Sequence, residues 1–105
     1  MSDDIDHFPP EIQNLHPFDG PFAAHRLPAE GCDVLFASYP AGTTIAPHRH
    51  ATDNVGVITK GMLTLIMNET TATFGVGAWY RVPAGAEHAA RFDEDSAEIE
   101  FWFHR

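Results

Sequence analysis

What most constrains this chain is the spacing of its apolar runs. From residue 22 onward, short stretches rich in aromatic, β-branched and aliphatic side chains cover 22–27, 33–39, 43–47, 54–59, 62–67, 71–74, 79–82, 87–92 and 97–104. Turn residues separate them: Pro28, Pro40-Ala41-Gly42, Lys60-Gly61, Asn68-Glu69, Gly75-Val76-Gly77, Pro83-Ala84-Gly85 and the acidic run at 93–95. Strand-length runs returning every 8–12 residues or so, with turn chemistry between them, predict an all-β sandwich or barrel. No segment carries the sustained 3.6-residue periodicity of a long helix.

Residues 1–21 differ. They are acidic and punctuated by Pro9, Pro10, Pro17 and Pro21, and they read as an irregular N-terminal arm ahead of a single barrel domain over 22–105. A short helix over 10–15 is the only element expected there, with Pro10 at a first-turn position where its missing N–H is harmless. A chain of 105 residues supports one core.

Charge and composition narrow the partners. Fifteen acidic residues against six basic ones give a net charge of −9, with acids gathered at Asp3, Asp4 and Asp6 and at Asp93, Glu94 and Asp95. Such a surface repels a phosphate backbone, so no nucleic-acid partner is expected. No stretch approaches the roughly 20 apolar residues of a spanning helix, so no membrane partner is expected. Cys32 is the only cysteine, which leaves no internal disulfide. With no apolar signal segment after Met1, this points to a cytoplasmic setting. Cys32 itself reads as an inert loop residue, since no neighbour marks it as activated.

In the last run, Ile99, Phe101 and Phe103 alternate with Glu98, Glu100 and Trp102. The simplest assignment turns the Ile-Phe-Phe row into the core and the other face to solvent. The alternative has the glutamates and tryptophan lining a polar pocket mouth.

The chemistry concentrates at His48-Arg49-His50. Side chains at i and i+2 of a strand leave the same face roughly 7 Å apart at the backbone, close enough for both rings to tilt onto one ion. Around them the sequence reads G-x5-H-x-H-x3-N-x6-G from Gly42 to Gly61, and a second stretch reads G-x5-P-x-G-x2-H from Gly77 to His88. The glycines suit strand-to-strand corners, and Pro83 an early turn position that aims His88.

Together these stretches resemble the two signature motifs of the cupin superfamily, G-x5-H-x-H-x3,4-E-x6-G and G-x5-P-x-G-x2-H-x3-N. They cover residues 42–92, about half the chain. The resemblance departs at two positions: Asn54 stands where the family has a glutamate, usually a fourth metal ligand, and Phe92 where it has an asparagine. It implies a double-stranded β-helix, or jelly-roll barrel, with a metal near its mouth. His48, His50 and His88 would then coordinate a divalent transition metal (Fe, Mn, Zn, Ni or Cu) as neutral imidazoles, leaving positions open to water, substrate or dioxygen. Asn54 is either a weaker fourth ligand or a hydrogen-bond partner outside the coordination sphere. Adjacent Asp53 reads first as a turn residue and only with a shifted register as a ligand.

Two functions follow from this resemblance. One is a metalloenzyme, dioxygenase-like or lyase/isomerase-like, acting on a small organic molecule; the other is a non-catalytic module that binds or senses a metal or metabolite. Tyr80 is the candidate catalytic hydroxyl, and Tyr80, Trp79, Trp102 and Phe101 are candidates for the wall of a ligand pocket. His25 is a further pocket candidate, whereas Arg49 and Glu87 are expected to point away from the site. His7, His16 and His104 read as terminal. A homodimer is expected, since small cupins often pair and an open barrel leaves edge strands to cover.

Overall fold

The computed structural model describes residues 7–105; Asp3, Asp4 and Asp6 of the first acidic run lie outside the described residues. Helix α1 spans Pro10–Gln13 with Pro10 in its first turn, shorter than the expected 10–15. Ten strands follow: β1 (His16–Pro17), β2 (Ala23–Ala29), β3 (Cys32–Tyr39), β4 (Thr43–His48), β5 (Asp53–Lys60), β6 (Met62–Met67), β7 (Thr70–Gly75), β8 (Trp79–Val82), β9 (His88–Phe92) and β10 (Ser96–Phe103). Each run read from the sequence becomes a strand, with boundaries shifted by at most two residues. β9 starts at His88, which leaves Glu87 in the preceding turn. Among the described residues no helix is long and apolar enough to cross a membrane.

The strands form two antiparallel sheets. The larger runs β1-β2-β3-β10-β5-β8 and the smaller β4-β9-β6-β7. Their inner faces enclose a core built on Leu35, Ala37, Tyr39, Ile58, Leu63, Leu65, Val82 and Phe92. At its centre the rings of Tyr39 and Phe92 stack across the two sheets with centroids 3.9 Å apart. The segment before residue 22 joins this packing. Phe8 is buried and meets Phe36 edge-on, β1 pairs with β2, and Phe18 and Phe22 pack on the core.

Alternation in β10 is kept, but its inner face is the polar one. Glu98 and Glu100 are only 2% and 6% exposed, whereas Phe103 is exposed and stacks on Phe101, which in turn stacks on Trp79. The expectation that Ile99, Phe101 and Phe103 seal the core is therefore corrected. The register explains the choice: Glu98 lies opposite Ala37 and Ile58, and Glu100 opposite Leu35 and Gly56, all inward positions. Parity is fixed by neighbouring strands, and the carboxylates face inward because the barrel encloses a cavity that supplies them with hydrogen-bond donors.

Candidate metal centre

Two of the motif histidines arrive from the small sheet and the third from the turn that leaves it. His48 ends β4 and His88 opens β9, and the two are cross-strand partners. A register shift between Ile45 and His48 precedes them; the intervening segment contains Pro47, which has no N–H to give the ladder. His50 lies two residues beyond β4 in the turn leading to β5. Its ring therefore converges with that of His48 through a turn rather than along one strand face. The turn is tied to the β8–β9 corner: Gly85 N–H donates to the His50 carbonyl at 2.8 Å, and Arg49 donates to the Gly85 carbonyl at 2.7 Å. Gly85 has φ +81°, a left-handed conformation that glycine adopts without strain.

His48 Nδ1 donates to the Ala46 carbonyl at 2.7 Å and His88 Nδ1 to the Ala86 carbonyl at 3.1 Å. Each ring is thereby fixed as the tautomer whose Nε2 bears a lone pair. Nε2 of His48 and Nε2 of His50 stand 3.0 Å apart. One donor nitrogen from each of the three histidines can be chosen so that all lie within 4.8 Å of one another. Two nitrogens bound about 2.0–2.1 Å from one ion sit roughly 3 Å apart, so the His48–His50 spacing already suits coordination. Burial, reinforced by His48 and His88, pushes His50 down to about 4, and burial also lowers His88. Both imidazoles are neutral at neutral pH, the state in which imidazole binds metal. His48, His50 and His88 could thus hold a metal ion.

These rings border a cavity of about 420 Å³ between the sheets, within the range of small-molecule sites. Its wall is aromatic and aliphatic, with Phe18, Pro21 and Phe22 contributed by the segment before β2. Asn54 and Tyr80 also line it. Asn54 comes from β5 in the larger sheet. Its Oδ1 accepts a hydrogen bond from Thr52 Oγ1 at 2.6 Å. Trp102 lines the cavity with its ring 4.5 Å from that of His50.

Sequence reasoning left Tyr39 without a role and gave Glu98 and Glu100 only as an alternative lining of a polar pocket mouth; all three line the cavity. Tyr80 Oη donates to Glu98 Oε1 at 2.6 Å, Tyr39 Oη to Glu100 Oε2 at 2.6 Å, and Trp102 Nε1 to Glu100 Oε1 at 2.9 Å. Burial, with Glu100 beside it, holds the Glu98 carboxyl well above the usual carboxylate range. Burial and the same glutamates raise both phenols, which remain donors. The available signal was Gly56, a glycine inside a strand, which marks close approach by another group; here that group is Tyr80.

Other candidates fall elsewhere. Trp79 and Phe101 stack on the outer face of the larger sheet and are not part of the pocket wall. His25 lies on β2 opposite Phe36, outside the cavity lining. Asp53 accepts from the Ala84 N–H and from Arg105, which makes it a turn anchor. Arg49 and Glu87 are exposed and face each other. Cys32 is buried, and burial together with Asp33 raises its thiol, consistent with an inert residue. His7 bonds Thr59 and His104 bonds Asp33, both at the surface.

Two antiparallel sheets around a cavity flanked by three convergent imidazoles define a small β-barrel protein with a metal-capable pocket. A family model described as cupin domain matches residues 35–103, and the chain belongs to that family. Among solved structures it is similar to an RmlC-like cupin from Shewanella frigidimarina, with a TM-score of 0.78 and 16% identity over 94% of this chain and 91% of that one. It is also similar to KdgF from Halomonas sp., with a TM-score of 0.77 and 17% identity over 89% of each chain. A cupin superfamily protein from Desulfitobacterium hafniense gives 0.76 and 12% identity over 92% of this chain and 90% of that one. At these identities the likeness is one of fold. No curated protein matches the chain.

Proposed function

We propose that this protein binds one divalent transition metal through His48, His50 and His88 and acts on a small organic molecule held in the adjoining cavity. The observation that carries this reading is the 3.0 Å approach of His48 Nε2 to His50 Nε2, with the backbone-anchored His88 beside them. An ion held there supplies a Lewis acid with open coordination positions. The chain's own residues do the rest: the aromatic and aliphatic wall excludes water, and Asn54, Tyr80, Glu98 and Glu100 offer the polar contacts that orient a ligand. Asn54 is the candidate fourth ligand, a neutral amide in place of a carboxylate.

Calorimetric titration of untagged protein with Fe(II), Mn(II), Zn(II), Ni(II) and Cu(II) tests the reading. Binding at roughly micromolar concentration or tighter is expected, with loss in His48→Ala; failure with every ion overturns it. Oxygen consumption by anaerobically Fe(II)-loaded protein on addition of substrate would mark dioxygenase chemistry. We also propose a homodimer formed through the outer face of the larger sheet, where Trp79, Phe101 and Phe103 make a stacked aromatic row.

A further inference from the structure

The inner face of β10 presents two buried carboxyl groups to the cavity. Both oxygens of Glu100 accept hydrogen bonds, from Tyr39 and from Trp102. Glu98 Oε1 accepts from Tyr80 Oη at 2.6 Å, and the Glu100 carboxyl and the Tyr39 hydroxyl also lie within hydrogen-bonding reach of its carboxyl. A hydrogen bond between two carboxyl groups requires that one of them carry a proton. Among the described residues no Lys or Arg lines the cavity to neutralise a second charge. In the metal-free protein two buried carboxyls in contact cannot both ionise, and burial with Glu100 beside it raises Glu98, so the pair holds one proton, on Glu98.

We propose that Glu98 and Glu100 are a proton-exchanging pair that acts on a neutral carbonyl compound with an acidic C–H beside its carbonyl, bound in the same cavity as the three histidines. The proposal rests on the metal-and-ligand reading above. The ligand class follows from the wall: two buried carboxyl groups disfavour a polyanion, and the aromatic and aliphatic surface suits a compact, largely neutral molecule.

The step balances within the pair. Glu100 takes the proton from the carbon next to the carbonyl, and the C–H electron pair becomes the C=C bond of an enol. The carbonyl π pair moves to its oxygen, which takes the proton of Glu98. One proton is gained and one released, so transfer from Glu100 to Glu98 along their hydrogen bond restores the starting state. Return of a proton to either carbon gives exchange or isomerisation, and no oxidant or reductant is consumed.

Trp102 connects this pair to the metal centre, since its ring packs on His50 while its Nε1 donates to Glu100. A ligand spanning the cavity would therefore meet both centres.

Two measurements test the proposal. Infrared spectroscopy of the metal-free protein near neutral pH should show a protonated-carboxyl C=O stretch that disappears in Glu98→Gln. Absence of the band in the wild type, or its survival in the variant, overturns the proposal whatever the fate of the metal reading. Zn(II)-loaded protein should catalyse C–H to C–D exchange of dihydroxyacetone in D2O, followed by proton NMR. Glu98→Gln and Glu100→Gln should slow this by at least about 100-fold while Zn(II) binding measured by calorimetry is retained. No exchange by the loaded wild type, or unaltered exchange in the variants, overturns the proposal. If a glutamine variant does not fold, Tyr80→Phe carries the test. It removes the phenol partner of Glu98 and should slow exchange at least about tenfold at unchanged Zn(II) affinity; an unaltered rate overturns the proposal. Lack of Zn(II) binding by the wild type counts against the metal reading alone, because the infrared band does not depend on it.

Discussion

Gly56 leaves the space that the ring of Tyr80 occupies: a Cβ at residue 56 would lie 2.5 Å from Tyr80 Cε2 and 2.7 Å from its hydroxyl oxygen. The two residues face each other across the β5–β8 ladder. Tyr80 is held at its far end by the 2.6 Å bond to Glu98, so the ring cannot move aside without breaking it. Gly56→Ala should therefore destabilise the fold by about 1–3 kcal/mol, as overpacking a filled core does. Urea unfolding checks this, and the double variant Gly56→Ala/Tyr80→Ala should lose less stability than the sum of the separate effects, because the two residues share one contact.

Glu98 gives stability a pH dependence with a defined sign. Its folded carboxyl titrates well above the ordinary value of 4.5, so above that pH the folded state binds more protons than the unfolded chain. Stability from this group is full below about 4.5 and declines as pH rises toward the folded value. His50 acts oppositely: lowered from 6.5 to about 4, it removes stability as pH falls through that interval. Glu98→Gln deletes only the first effect. The difference in thermal midpoint between the Glu98→Gln variant and the wild type should therefore become more positive as pH rises from about 4.5; a constant difference would argue against a protonated Glu98.

In the proposed metal centre Asn54 is the candidate neutral fourth ligand. Its amide is buried beside the cavity and its Oδ1 faces Thr52 Oγ1. A carboxylate there adds a negative charge toward the cation, and Asn54→Glu should tighten Zn(II) binding by about tenfold or more, equivalent to about 1.4 kcal/mol. Calorimetry provides the measurement. Unchanged affinity would place residue 54 outside the coordination sphere.

The outer aromatic row supplies a separate test. Trp79 is 58% exposed and Phe103 44%, a large apolar area for a free surface. The double substitution Trp79→Ser and Phe103→Ser should convert a dimer into a monomer in sedimentation velocity without loss of metal binding. A wild type that sediments as a monomer would remove the homodimer proposal.

The sequence carried the strands and the three histidines because both depend on local signals. Turn residues bracket each strand, and glycine spacing positions His48, His50 and His88. What it did not carry was the side of β10 that faces inward. Alternation of Glu98, Glu100 and Trp102 with Ile99, Phe101 and Phe103 fixes which residues share a face, but hydropathy alone assigns the apolar row to the core. The assignment fails here because Tyr39, Tyr80 and Trp102 supply donors inside the barrel, and Tyr39 lies 61 residues from Glu100 along the chain. Such distant satisfaction leaves no trace in the alternation of β10 itself. Asn54 is a related case: it reaches the cavity from the opposite sheet, a placement that depends on how the turn after His50 crosses between sheets.

The tight turn between β6 and β7 offers a test of the scaffold alone. Its central residues, Asn68 and Glu69, have φ of 55° and 62°, both left-handed. A two-residue hairpin turn with both φ values positive matches the twist of its strands and favours Asn-Gly. Asn68 tolerates this conformation, whereas the Cβ of Glu69 is crowded against its own backbone at a cost of about 1–2 kcal/mol. Glu69→Gly removes that strain but enlarges the freedom of the unfolded chain, an opposing effect of about 0.5–1 kcal/mol. Relief is the larger of the two, so Glu69→Gly should stabilise the protein by about 0.5–1 kcal/mol in urea unfolding. Metal affinity should not change, since no residue of this turn lines the cavity. A loss of stability would show that residue 69 is not held in the left-handed conformation.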